Sequence, residues 1–142
     1  MMELTYAFMD PTGNMTVLVE QAVPVADQPR IADAIMAEEP TCEQVGFVVD
    51  APDGCDTAIR MAGGEFCGNA TMSLGAMLAR EAALADGAEL ALELEVSGSA
   101  APVPCRIRRE GDSWVGTVRM PLPTGVDEIA LDTDAGTLTA PL

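Results

Sequence analysis

Met61-Ala62-Gly63-Gly64-Glu65-Phe66-Cys67-Gly68-Asn69-Ala70-Thr71 joins a β-prone run to the most helical segment of this chain. Gly63-Gly64 is a turn signal, so a strand ends before it and a helix begins after Phe66. The helix expected over residues 68–85 carries Ala70, Leu74, Met77, Leu78 and Ala82 on one side. Met72, Ala76 and Ala79 lie off that side and are also small or apolar. A helix apolar nearly all round is buried. One helix buried on most sides needs a sheet on most sides. The expected architecture is therefore an α+β domain with a curved sheet around a central helix.

The flanking segments supply the strands. Residues 3–9 alternate enough for a strand, Asp10-Pro11-Thr12-Gly13-Asn14 is a dense turn, and residues 15–20 are β-rich, which predicts a hairpin. Residues 26–39 predict a helix, with Ile31, Ala34, Ile35 and Glu38 at helical spacing and Pro40 as the stop. Strands are expected over 44–50 and 55–61, split by the turn Ala51-Pro52-Asp53-Gly54, then over 89–97, 103–110 and 114–120. The tail, 126–142, is β-prone in pieces without an obvious closing element.

Composition narrows the function classes. The length of 142 residues suits one domain, and a 49% hydrophobic fraction argues against disorder. Acidic residues number 23 against seven arginines, with no Lys or His, so the formal charge is −16. Such a surface repels phosphate backbones and anionic lipid, which excludes nucleic acid and membrane surfaces as expected partners. No apolar run is long enough to span a bilayer, and Met1-Met2-Glu3-Leu4-Thr5-Tyr6 does not read as a signal peptide. The expected compartment is the cytoplasm. The four cysteines, at 42, 55, 67 and 105, form no Cys-x-x-Cys pair, and without His no zinc site is expected. Cys42, Cys55 and Cys105 are expected to pack as small apolar residues.

Cys67 differs in its setting. Partial positive charge at a helix amino terminus favours thiolate over thiol. The first-turn N–H groups of Gly68, Asn69 and Ala70 lack intrahelical acceptors and can hold a carboxylate. Gly68 has no side chain to obstruct a ligand. A carboxylate docked there places its neighbouring carbon within reach of the sulfur, the geometry for removing an α-proton. The plainer alternative is a buried, inert cysteine.

Cys67-Gly68-Asn69-Ala70, opening a long apolar helix, resembles the Cys-Gly-Asn motif of diaminopimelate epimerase-like amino-acid racemases and epimerases. Thr12-Gly13-Asn14-Met15 is similar to that family's Gly-Asn-Asp-Phe turn, and Glu43-Gln44 to its Asp-Gln before a strand. Leu94-Glu95-Val96-Ser97 and the two strands after it continue in the same order, so the resemblance covers essentially the whole chain. It implies a mostly antiparallel sheet around one central helix, with a second, peripheral helix. It also implies a two-thiol acid/base isomerase without metal or other cofactor. Cys67 would be one thiol, Gly68 and Asn69 would hold the α-carboxylate, and Asn14 and Gln44 would shape the pocket.

Two departures qualify the resemblance. Family members have two mirror-like domains, each supplying one cysteine, and nothing here matches the second motif. The expectation is that residues 1–142 form the amino-terminal domain, inactive alone, with the carboxy-terminal domain absent from this chain. A homodimer placing two Cys67 helices face to face is geometrically allowed. Diaminopimelate epimerases also carry an Asn before the catalytic helix that reads the far end of the substrate. The short connection from Arg60 to Cys67 has none, which points to a different amino-acid substrate, with Arg60 and Glu65 as candidate readers. Phenazine-biosynthesis isomerases use a carboxylate in place of the cysteine, and proline racemases carry His where this chain has Asn69. The competing readings are a binding or structural module that retains the fold without the reaction, and an unrelated β-rich domain.

Overall fold

The computed structural model describes residues 3–141. Met1, Met2 and Leu142, which the readings of the leader and the tail included, lie outside the described residues. β1 (Tyr6–Met9) and β2 (Thr16–Val19) form the expected hairpin, with Tyr6 opposite Val19 and Met9 opposite Thr16. α1 (Gln28–Glu38) then crosses over, so that β3 (Gln44–Val49) lies parallel to β2. β4 (Thr57–Met61) returns antiparallel to β3. α2 (Gly68–Glu81) makes a second crossover to β5 (Glu89–Val96), which is parallel to β4. β6 (Val103–Glu110) and β7 (Ser113–Val118) finish the sheet as an antiparallel meander. The seven strands lie in chain order, so the sheet is mostly antiparallel with two parallel joints, each bridged by a helix.

The joints set which face each helix covers. Leu18, Ile59, Met61, Leu94, Val96 and Ile107 pack with Ala70, Leu74 and Met77 of α2. Val17, Val19, Val45 and Phe47 pack with Ile31, Ala32 and Ile35 of α1 on the opposite face. β2 is buried on both faces, which is why Val17-Leu18-Val19 is a continuous apolar run rather than an alternating one. Each large side chain fully buried in this way, such as Leu74 or Ile107, stabilises the fold by about 1.5–3 kcal/mol. α2 touches β2, β4, β5, β6 and β7, so the sheet curls around it as expected, and α1 is the peripheral helix. Gly75 permits the closest approach: a Cβ there would lie 2.8 Å from Ile107 Cγ1 and 3.1 Å from Cys105 Sγ.

Several boundaries differ from the sequence reading: β1 starts at Tyr6 rather than residue 3, β4 at Thr57 rather than residue 55, and β7 ends at Val118 rather than residue 120. α1 starts at Gln28 after a short 3-10 turn, Val25–Asp27, because Pro29 lacks an N–H and fits only the first helical turn. α2 stops at Glu81 rather than 85, which leaves Ala82 exposed and outside the helix. Ala83 adopts φ 50, the Leu84 N–H bonds to the Ala79 carbonyl, and the Ala83 N–H bonds to that of Arg80. This is a Schellman stop made without glycine, so no breaker residue marks it in the sequence. Ala83→Gly is expected to stabilise the domain by about 1 kcal/mol, read from its urea midpoint, because it removes the left-handed penalty of an L-residue. The tail folds as a separate antiparallel hairpin, β8 (Glu128–Thr133) and β9 (Gly136–Pro141), a two-stranded sheet of its own.

Candidate active site

Cys67 is the N-cap of α2, as the motif predicts. Its backbone is extended (φ −135, ψ 112), and its sulfur accepts from the Ala70 N–H at 3.4 Å. The Cys67 carbonyl accepts from both the N–H and the hydroxyl of Thr71, at 3.0 and 2.7 Å. The cap is therefore satisfied on two sides and the sulfur is half-buried. One detail of the sequence reading changes. The Ala70 N–H is occupied by the sulfur, so the first-turn donors without a protein acceptor, among the described residues, are those of Gly68 and Asn69.

The parallel pairing of β2 with β3 brings the remaining candidates to the head of α2. Thr16 and Gln44 are register partners at the starts of those strands. Gln44 Nε2 donates to Thr16 Oγ1 at 2.7 Å, while Gln44 Oε1 accepts from Cys67 Sγ at 3.1 Å. Thr16 Oγ1 donates to the Asn14 carbonyl at 2.9 Å. Asn69 Nδ2 donates to Asn14 Oδ1 at 2.8 Å, and Asn14 Nδ2 donates to Glu43 Oε2 at 2.6 Å. Asn14, Gln44, Cys67 and Asn69 thus belong to one hydrogen-bonded chain assembled from three separated segments. Gly68 sits beside it, and a Cβ there would meet Met120 Sδ at 3.1 Å. The space expected to be open over Gly68 is thus bordered by a flexible thioether.

Thr16 was not singled out from sequence, and Glu43 entered only as part of the Glu43-Gln44 match. Thr16 is a fully buried polar residue opening an otherwise apolar strand, and that contrast was its only signal. Glu43 is exposed, and its bond from Asn14 Nδ2 gives it a place in the network that the match did not specify. Arg60 and Glu65 stand outside the network. Arg60 Nε is buried without a hydrogen-bond partner among the described residues. Glu65 contributes its carbonyl, which accepts from Ser97 Oγ at 2.7 Å. Ser97 Oγ also accepts from the Met61 N–H at 2.9 Å, so one hydroxyl ties both ends of the loop that delivers Cys67.

Cys42 and Cys105 pack in the core as expected, whereas Cys55 is half-buried, precedes β4 and belongs to neither core cluster. Cys42 is buried, and its Sγ donates to the Gln44 carbonyl at 3.2 Å. Burial raises the Cys55 thiol, with Glu95, Glu93 and Asp56 adding to the effect. Burial pushes Cys105 up to about 11 from an ordinary value of 9.0. The unfolded chain therefore releases the Cys105 proton near pH 9 and the folded chain holds it, so stability declines as pH rises from about 9 to about 11. The expected loss is about 3 kcal/mol, and urea midpoints across that range should flatten in Cys105→Ala. Among the described residues no three Cys, Asp or Glu side chains converge to hold a metal ion. Among the described residues no helix is long and apolar enough to cross a membrane. A surface hollow of about 560 Å³, lined by Glu20, Val23, Pro24, Val48 and Asp50, lies beyond the far ends of β2 and β3.

A curled seven-stranded sheet around one helix, with a capping cysteine linked to an asparagine turn and a strand-leading glutamine, defines a domain of the diaminopimelate epimerase-like class. The chain belongs to the histidine racemase CntK N-terminal domain family, whose model matches residues 3–141. It is 36% identical over 121 residues to a histidine racemase of Staphylococcus aureus (strain Mu50), covering 83% of this chain and 42% of that protein. It is 28% identical over 135 residues to a histidine racemase of Fusobacterium nucleatum subsp. nucleatum (strain ATCC 23726), covering 91% of this chain and 48% of that protein. The chain thus spans a little under half the length of these relatives.

Proposed function

We propose that this domain is the amino-terminal half of a cofactor-independent amino-acid racemase acting on histidine, with Cys67 as one of two acid/base thiols. The observation that carries the reading is the hydrogen-bonded convergence of Asn14, Gln44, Cys67 and Asn69 at the start of α2. The family and the names of the relatives supply the substrate.

In this reading the substrate carboxylate accepts from the Gly68 and Asn69 N–H groups, and the α-carbon lies against the sulfur. As thiolate, Cys67 takes the α-proton and the electron pair of the C–H bond passes into the carboxylate. The amide donors stabilise that charge as it develops. A second thiol, supplied from outside this domain, returns a proton to the other face, in keeping with relatives of which this chain spans 42% and 48%. In the reverse direction the two thiols exchange roles. Residues 1–142 contain no histidine, so no imidazole of this domain assists. Among the described residues, the N–H donor facing the sulfur is that of Ala70 at the helix start, 3.4 Å away. An amino-acid α-proton is weakly acidic, so water must be excluded between the two halves for these donors to act at full strength.

The test is chiral chromatography of single L-amino acids incubated with the full-length protein, with meso-diaminopimelate and proline included. Conversion of L-histidine to a mixture of antipodes supports the reading. Turnover of another amino acid with histidine untouched would correct the substrate, and inertness toward all of them would leave a non-catalytic module.

A further inference from the structure

We propose that Thr16 is a positioning residue: it sets the orientation of the Gln44 carboxamide and thereby presents an acceptor oxygen, rather than an N–H donor, to the Cys67 sulfur. A threonine hydroxyl has one proton to give. Thr16 is fully buried, and its Oγ1 lies 2.9 Å from the Asn14 carbonyl oxygen, which can only accept. That proton is therefore committed, and only lone pairs remain to face Gln44. Gln44 must present Nε2 to Thr16, at 2.7 Å, because its carbonyl end would meet another acceptor there. The amide is planar and rigid, so its Oε1 is turned to Cys67 Sγ at 3.1 Å.

An oxygen acceptor beside sulfur is attractive when the sulfur carries hydrogen and repulsive when it is an anion. A flipped amide would do the opposite, giving the sulfur an N–H donor. The Ala70 N–H, on the cap side, donates to the sulfur in either state. Cys67 thus meets a donor on one side, the Ala70 N–H, and an acceptor on the other, Gln44 Oε1. A group that must act as acid in one direction and base in the other needs both. When it acts as acid, the S–H bond breaks, its pair stays on sulfur, and the proton bonds to the α-carbon. The reverse step restores the thiol. The role in turnover rests on the racemase reading, whereas the amide orientation does not.

The experiment is iodoacetamide alkylation of the full-length protein at pH 7, read separately at each cysteine by peptide mass spectrometry. Thr16→Val removes the hydroxyl at nearly constant volume and frees Gln44 to turn its N–H toward sulfur. Cys67 should then alkylate about three- to tenfold faster, the effect of one hydrogen bond changing sides. Thr16→Ser should restore the native rate. Cys42 and Cys105, both buried, report any general loosening of the fold, which would accelerate all three thiols together. Gln44→Met, which deletes the acceptor and leaves Thr16 in place, should give the same selective rise even if Thr16→Val folds poorly. No change at Cys67 in either variant, or an equal rise at Cys42 and Cys105, would overturn the proposal. Selective acceleration in a protein that inverts no amino acid would instead keep the Thr16 assignment and overturn the racemase reading.

Discussion

Cys67→Ser in the full-length protein is expected to lower histidine inversion by about 10²–10⁴-fold, the usual share of a positioned acid/base group. The substitution is chosen for what it preserves. Serine is among the strongest N-cap residues, so its hydroxyl can take over the Ala70 N–H from the sulfur. The Thr71 contacts to the residue 67 carbonyl are unaffected. Thermal stability should therefore stay level or rise while activity collapses. An alcohol holds its proton far more tightly than a thiol, so it cannot serve as the base at neutral pH. A variant retaining more than a tenth of wild-type activity would remove Cys67 from the chemistry.

Gly98→Ala carries the largest expected structural effect, about 2–4 kcal/mol of destabilisation in urea titration. Gly98 has φ +76, where an L-residue is strained, and a Cβ there would lie 2.4 Å from the Phe66 nitrogen and 2.9 Å from the Glu65 carbonyl carbon. Those are backbone atoms, so no side chain can swing aside to relieve the clash. They also belong to the segment immediately before Cys67, already tied down through Ser97 Oγ. The variant should lose activity beyond what its residual folded fraction explains, because any relief moves the loop that places the sulfur. A stability change below about 0.5 kcal/mol would show that the loop yields freely, and that Gly98 does not seat it.

How far the sequence alone reached follows from which interactions are local. α2 and its burial were legible because apolar residues surround the whole helix, and Cys67 because a Gly-Gly turn precedes a helix start. The end of α2 was not, since the left-handed residue is Ala83, a type that normally continues a helix. Asn14 and Gln44 were reached through resemblance, and their contact with the α2 head depends on the parallel joint of β2 and β3, which no local pattern encodes. Thr16 acts through a hydroxyl whose partners lie two and 28 residues away, and it reads in sequence as an ordinary strand residue. Ser97 and Gly98 look like a turn, and nothing near them announces that they hold a loop more than thirty residues earlier.

The central claim, that the Cys67 sulfur serves one face of the α-carbon while another thiol serves the other, is tested most directly by early-time isotope transfer in heavy water. Full-length protein given protiated L-histidine should yield D-histidine bearing deuterium at the α-carbon, while recovered L-histidine retains its protium. Product that keeps the substrate's own proton would mean a single group carrying it from face to face, and would contradict the account.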